Sequence, residues 1–305
     1  MADTDPIRVG ILSDPYCYAW QARAIERVRE ELAVDIPLVV YNDSKRDRDE
    51  PTTPEQLDRG AVSHLVDGLR REKAWTVVTA MRTIARRFGD ERTLRRRRSV
   101  ATLDFLDDAE YVPCEPRIDD GWYTLPDTVV DRLAEECDVV VRFGFGLLRG
   151  NILTAPEHGV LSFHPADIRK YRGLGPPAIF HDGRDRAGAT LQRLDESIDG
   201  GAIVAYDEVS LDGCYTLWDV FDRVATLQIR LLVDGIVKVG DPTFEPQLVP
   251  DDRLGEFYSL SRRRSLSFSG RVLAKNLAGR VRRRLDRRPD VDDRSHRTEI
   301  VDSVG

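Results

Sequence analysis

Gly159-Val-Leu-Ser-Phe-His-Pro-Ala-Asp-Ile-Arg-Lys-Tyr-Arg-Gly173 is the stretch that decides the fold. An apolar run, Val160 to Phe163, breaks onto a single histidine, His164, followed at once by Pro165. Polar groups then come quickly: Asp167, Arg169, Lys170, Tyr171 and Arg172. About a helix and a strand later, Asp199 stands in Ile198-Asp-Gly-Gly201. A buried strand that ends on a histidine, with a carboxylate returning on a Gly-Gly turn, is how an α/β protein places an acid/base pair.

Upstream, Val139-Val-Val-Arg-Phe143 reads as a central parallel strand, a continuous apolar run with one break. It ends in Gly144-Phe-Gly146, but position 149 is Arg, so a G-x-G-x-x-G dinucleotide fingerprint fails. Pro126 opens a helix with Val129, Val130, Leu133, Ala134 and Cys137 on its apolar face. At the start of the chain, Ile7–Leu12, a helix from about Trp20 to Leu32 and Ile36–Tyr41 make a βαβ unit, so the sheet is at least partly parallel. Asp108–Pro113 predicts a short strand.

Between these strands, residues 43–100 read as a polar loop and a helical insertion, with one face of Val62, Leu65, Val66 and Leu69 and another of Val77, Val78, Met81, Ile84 and Phe88. The basic run Arg95–Arg98 reads as a solvated turn. Thr216-Leu-Trp-Asp219 predicts a capping box, opening a long helix with Leu217, Val220, Phe221, Val224, Leu227 and Leu231 on one face. Further on, Leu273, Leu277, Val281 and Leu285 recur every fourth residue beside many arginines. That spacing predicts a basic amphipathic helix over 268–288, suited to its own domain, to a second subunit in a homodimer, or to an anionic membrane surface. The last dozen or so residues read as disordered. The expected organisation is an α/β domain over 1–212, with a mostly parallel central sheet flanked by helices, and a helical C-terminal extension over 213–305.

At 305 residues the chain has room for a sizeable core, and 41% hydrophobic content suffices to fill one. The formal net charge of −7 argues against nucleic acid. Cys17, Cys114, Cys137 and Cys214 have no framework spacing and read as reduced thiols of a cytoplasmic protein. His158, His164 and His181 lack metal-ligand spacing, so no metal is expected, and His158 and His181 read as structural. No signal peptide or membrane-length apolar run is visible.

Residues 138–208 resemble the catalytic core of the 10-formyltetrahydrofolate-dependent formyltransferases, the family of methionyl-tRNA, glycinamide ribonucleotide and nucleotide-sugar formyltransferases. The motifs that carry the resemblance are Ser162-Phe-His164-Pro165, Tyr171-Arg-Gly173, Pro176-Pro177, Gly188-Ala-Thr190 and Asp199-Gly-Gly201. The resemblance implies a Rossmann-type formyltransferase fold, 10-formyltetrahydrofolate as co-substrate and a small-molecule amine as acceptor, with His164 moving protons and Asp199 orienting or charging it. It implies that the folate lies against Arg142, Phe143, Gly144, Phe145, Gly146, Leu147 and Leu148, with the turn from Asp195 to Asp199 closing the other side. Asp167, Tyr171 and Arg172 are the implied substrate contacts. The family asparagine that donates to the oxyanion is Ser162 here, a shorter donor. The motif set points to a branch acting on amino sugars, with Ser162 and Asp167 sharing a geometry of their own. Hydrolysis of the formyl-folate and a non-catalytic folate or sugar-nucleotide binder are the alternatives.

Overall fold

Alternation along four apolar strands builds the centre of the molecule. The computed structural model describes residues 6–45, 70–87 and 92–286. Its main sheet contains β1 (Ile7–Ser13), β2 (Leu38–Asn42), β3 (Glu110–Cys114), β4 (Val139–Arg142), β5 (Val160–His164), β6 (Arg186–Arg193) and β7 (Ala202–Ser210). The order across it is β7-β6-β5-β4-β1-β2-β3. From β5 to β3 all neighbours are parallel; β6 and β7 add antiparallel pairs at the other edge.

Successive side chains of a strand point to opposite faces. Val9, Ile11, Val139, Val141 and Leu161 therefore enter one apolar core, and Leu12, Val140 and Val160 enter another on the far side. Burial on both faces is why β4 and β5 read as continuous apolar runs. The first core is covered by α1 (Ala19–Glu31) and by α5 (Leu217–Val239); the second is covered by α3 (Asp127–Glu136). The capping box forms: Asp219 Oδ2 accepts from the Thr216 N–H at 2.7 Å. α5 lies close on β6, where a Cβ on Gly235 would stand 2.2 Å from Leu191.

Two boundaries differ from the sequence reading. The core runs across residue 212, because Leu217, Val220, Val224, Leu227 and Leu231 of α5 are buried in it. The helical extension expected from 213 thus begins with a helix of the α/β core. In α2 (Trp75–Arg87), Trp75 and Val78 are buried but Val77 and Ile84 are exposed, so the expected apolar face is rotated. Val62, Leu65, Val66, Leu69 and Phe88 lie outside the described residues, as does everything after Asp286.

The C-terminal helix α6 (Leu266–Asp286) packs against α2 and α4 (Pro176–Asp182) with an unexpected face. Phe268, Ser269, Val272 and Asn276 are buried, while Leu277, Val281 and Leu285 are 52%, 59% and 57% exposed. Phe268 and Val272 enter the first core, and small or polar residues stand where the contact is close. A Cβ on Gly279 would fall 1.7 Å from the Tyr215 carbonyl oxygen, and Asn276 Oδ1 accepts from the Leu217 N–H at 2.9 Å. That bond satisfies one of the orphan N–H groups at the start of α5.

Candidate active site

β4, β5 and the turn before β7 meet at the C-terminal ends of the parallel strands. Ser162 and His164 lie two residues apart on β5 and share a face. His164 is 3% exposed, with Nδ1 3.1 Å from Asp199 Oδ1 and Nε2 2.9 Å from the Tyr171 carbonyl oxygen. Asp199 Oδ2 accepts from the Gly173 N–H at 2.7 Å. Gly173 has φ +76°, and a Cβ there would stand 2.4 Å from the Tyr258 carbonyl oxygen, which explains the glycine of the Tyr-Arg-Gly motif. Asp199 itself has φ +52°, a left-handed conformation that a non-glycine residue holds only when its surroundings impose it.

The electrostatics of Asp199 follow from its neighbours. Burial works to raise its pKa. The hydrogen bond and charge of His164, the Gly173 N–H and the Arg142 charge outweigh burial and hold the carboxyl below its usual value. Asp199 is thus ionised at neutral pH. It is also the more open of the pair, its side chain 20% exposed against 3% for His164.

Ser162 is 2% exposed and faces Arg142, its register partner on β4. The guanidinium donates to Ser162 Oγ from Nε at 3.1 Å and from Nη2 at 2.9 Å. Burial pushes the Arg142 pKa down to about 10, opposed by the charges of Asp199 and Asp14. Beside this pair opens a cleft of ≈ 460 Å³. Trp20, Phe143 and Phe163 form an aromatic wall, with ring centroids 5.8–6.3 Å apart. Arg95 also lines the cleft, 4.4 Å from the centre of the Phe221 ring. The basic run read as a solvated turn therefore contributes a cleft residue: Arg97–Ser99 pairs with Tyr16–Tyr18, which carries Arg95 inward.

The expected residues do not all converge. Arg142, Phe143, Gly144, Gly146 and Ser162 border the cleft. Phe145 and Leu148 are buried in the second core, Leu147 pairs with Trp122, and none of the three lines the cleft. Asp14 fixes this turn by accepting the Phe145 N–H at 3.2 Å. Asp195 accepts from the Ser197 N–H at 2.9 Å, an interaction inside its own turn.

Among the implied substrate contacts, Asp167 faces a different cleft, held by Arg169 Nε at 2.8 Å beside Lys170, Arg186 and Glu208. It does not pair with Ser162; Arg142 does. The Tyr171 side chain is buried, its hydroxyl donating to Asp182 at 2.9 Å, and it reaches the site through its backbone carbonyl alone. Arg172 donates to the carbonyls of Gly255 at 3.2 Å and Ile198 at 3.4 Å, tying the Asp199 turn to Glu256–Phe257, which pairs with Tyr171–Arg172. Sequence reasoning missed that C-terminal strand, and no motif marks it.

The cysteines take no part. Burial pushes the thiols of Cys17 and Cys114 up to about 11 and that of Cys137 to about 12, so they are protonated and unreactive. His181 pairs with Asp182 at 2.9 Å and stacks on Phe268, a structural role.

The mostly parallel sheet thus carries a buried histidine–carboxylate pair at its strand ends. Residues 124–236, which include His164 and Asp199, match the formyl transferase family model. Over 112 residues the chain is 34% identical to the methionyl-tRNA formyltransferase of Lachnospira eligens, covering 36% of this chain and 35% of that protein. Over 153 residues it is 28% identical to the enzyme of the same name from Staphylococcus epidermidis, covering 49% of each. The chain therefore spans between a third and a half of the length of these curated relatives.

Two solved structures share the fold. An N-formyltransferase from Helicobacter canadensis, in complex with folinic acid and dTDP-3-aminofucose, superposes with a TM-score of 0.51 at 12% identity, covering 90% of this chain and 80% of that one. A sugar N-formyltransferase from Shewanella superposes with a TM-score of 0.51 at 13% identity, covering 89% and 88%.

Proposed function

We propose that the chain transfers the formyl group of 10-formyltetrahydrofolate to the primary amine of an amino sugar. The observation that carries this reading is the His164–Asp199 pair, 3.1 Å apart at the strand ends, inside the segment that matches the formyl transferase family.

The residues present suit such a donor. Gly144 and Gly146 line the cleft while packing tightly against Asp14 and Tyr123, and Phe143 and Phe163 offer apolar rings for a heteroaromatic ring. The folate supplies the activated formyl carbon; the chain supplies position, charge and proton transfer. Asp199 is ionised and is the more open partner, so it is the group best placed to receive a proton from the incoming amine. His164, held between Asp199 and the Tyr171 carbonyl, shares that proton and keeps the pair in register.

The acceptor reading rests on the cleft and on charge. An aromatic wall in one cleft with Arg95 and Arg142 suits a sugar linked to an anionic group such as a nucleoside diphosphate. The Helicobacter canadensis relative of similar fold was solved with such a compound. A tRNA acceptor would need a broad cationic face, which a net charge of −7 opposes.

The test is a panel of nucleotide-linked amino sugars incubated with 10-formyltetrahydrofolate and read by mass spectrometry for N-formyl product. Formylation of at least one amino sugar is the expected result. Bare formate with every sugar would make water the acceptor, and formylation of aminoacylated tRNA in preference to sugars would overturn the reading.

A further inference from the structure

The cleft contains a cation that the family pattern does not supply. The resemblance places the oxyanion donor at position 162, but Ser162 cannot fill that role in this chain. Its Oγ accepts two hydrogen bonds from the Arg142 guanidinium, and its own O–H faces the Arg142 carbonyl oxygen at 3.4 Å. The residue is 2% exposed, and every hydrogen bond of its hydroxyl is made with Arg142.

The guanidinium differs in each respect. It carries five N–H groups in a rigid fork, and Ser162 engages only the Nε and Nη2 positions. Arg142 lines the cleft together with Gly144, Phe163 and Pro165. Side by side on β4 and β5, Arg142 and Ser162 present to the same face that carries His164. Among the described residues no carboxylate forms an ion pair with Arg142, although a desolvated cation without one is costly. A mainly structural arginine would be expected to have such a partner.

We propose that Arg142 is the oxyanion donor of this chain, and that Ser162 positions its guanidinium so that the open N–H edge meets the formyl oxygen as charge builds there. This inference rests on the formyl-transfer reading above. In that reaction the amine lone pair forms the new C–N bond and the carbonyl π pair moves onto oxygen. On collapse the pair returns, the bond from carbon to the folate nitrogen breaks, and the proton lost by the amine passes through the Asp199–His164 pair to that nitrogen. Charge on the oxygen exists only between the two steps. A fixed cation held there in advance lowers the barrier without reorganising at the moment of reaction. A charge-assisted donor is about twice as strong as a neutral one, so arginine with serine does the work of an amide. Burial has lowered the arginine to about 10, which leaves it cationic at neutral pH.

The experiment compares wild type, Arg142→Ala, Arg142→Lys and the double variant Arg142→Ala/Ser162→Asn, with 10-formyltetrahydrofolate as donor and hydroxylamine as a small probe amine. Tetrahydrofolate release gives kcat and KM, calorimetry gives folate affinity, and thermal melting reports folding. The Ala variant should lose roughly 10²–10³-fold in kcat, the usual cost of a missing oxyanion donor, with folate affinity within a few-fold. Millimolar guanidinium ion should restore at least ten-fold of that loss, as should the added asparagine of the double variant. If the Ala variant does not fold, the Lys variant decides, with a reduced kcat and an unchanged KM expected. An Arg142 variant that turns over at the wild-type rate, or that raises KM alone, would overturn the inference and leave formyl transfer standing. A wild type that releases no tetrahydrofolate with hydroxylamine, amino sugars or water would remove both.

Discussion

Arg142 and Ser162 stand opposite each other on adjacent parallel strands, and the arginine reaches the serine oxygen with Nε at 3.1 Å and Nη2 at 2.9 Å. Sequence reasoning treated Ser162 as a shortened oxyanion donor. The geometry makes it an acceptor that aims a cation.

Ser162→Ala should therefore lower kcat by about 10–100-fold, since a hydrogen bond to a charged group contributes roughly 1.5–3 kcal/mol. Folate affinity should hold within a few-fold. Ser162→Asn in the otherwise native chain should be no faster than wild type, because the longer amide competes with the guanidinium for one space. Steady-state kinetics of the two single variants check both statements; a faster Asn variant would mean that Arg142 does not occupy the donor position.

Arg142 should also set stability against activity. A cation with a depressed pKa is held in the fold at a cost, so Arg142→Met, unbranched and without charge, should raise the melting midpoint by a few degrees while lowering kcat by roughly 10²–10³-fold. Differential scanning calorimetry beside a turnover assay checks it. A lowered midpoint would show that the guanidinium stabilises the fold.

Asp199 governs the acid side. Its folded pKa lies below the unfolded value, so its contribution to stability is fully present above about pH 4 and is lost as pH falls through the folded pKa. Asp199→Asn should be less stable than wild type at neutral pH and should lose less on acidification. The two curves of melting midpoint against pH should converge as pH falls through the folded pKa of Asp199. Parallel curves would mean that the carboxylate gains nothing from His164 and Gly173.

The parts of the fold that the sequence displayed are those with burial on both faces. β4 and β5 stand out because nearly every position must be apolar, and Pro126 and Thr216 mark helix starts through local backbone chemistry. The Arg142–Ser162 contact was hidden because its partners are twenty residues apart and become neighbours only through strand register. Tyr171 and Arg172 carry a motif that is legible, yet the tyrosine acts through its carbonyl and the arginine through the carbonyls of Gly255 and Ile198. A motif names positions, and whether the side chain or the backbone acts there depends on what packs around it. In α6 the four-residue spacing marks the helix, and of its stripe only Leu273 packs on the core, while Gly279 and Asn276 make close contacts that no apolar pattern displays.

That helix gives a fourth expectation. Gly279→Ala and Asn276→Ala should each destabilise the chain, by roughly 1–3 kcal/mol, through overpacking and an unsatisfied Leu217 N–H respectively. Replacing Leu277, Val281 and Leu285 together by Ser should change the melting midpoint little, since those side chains are exposed. Thermal melts of the three variants decide it; the reverse ranking would place the stripe at the helix contact.

In the proposed reaction the His164–Asp199 pair carries protons for formyl transfer. The most direct measurement is single-turnover release of tetrahydrofolate by His164→Ala, preloaded with 10-formyltetrahydrofolate and mixed with the amino sugar that wild type formylates. The account predicts loss of at least about 10²-fold in the transfer step, with folate affinity within a few-fold of wild type. Release at the wild-type rate would contradict the account, and the acid/base chemistry would then have to lie elsewhere.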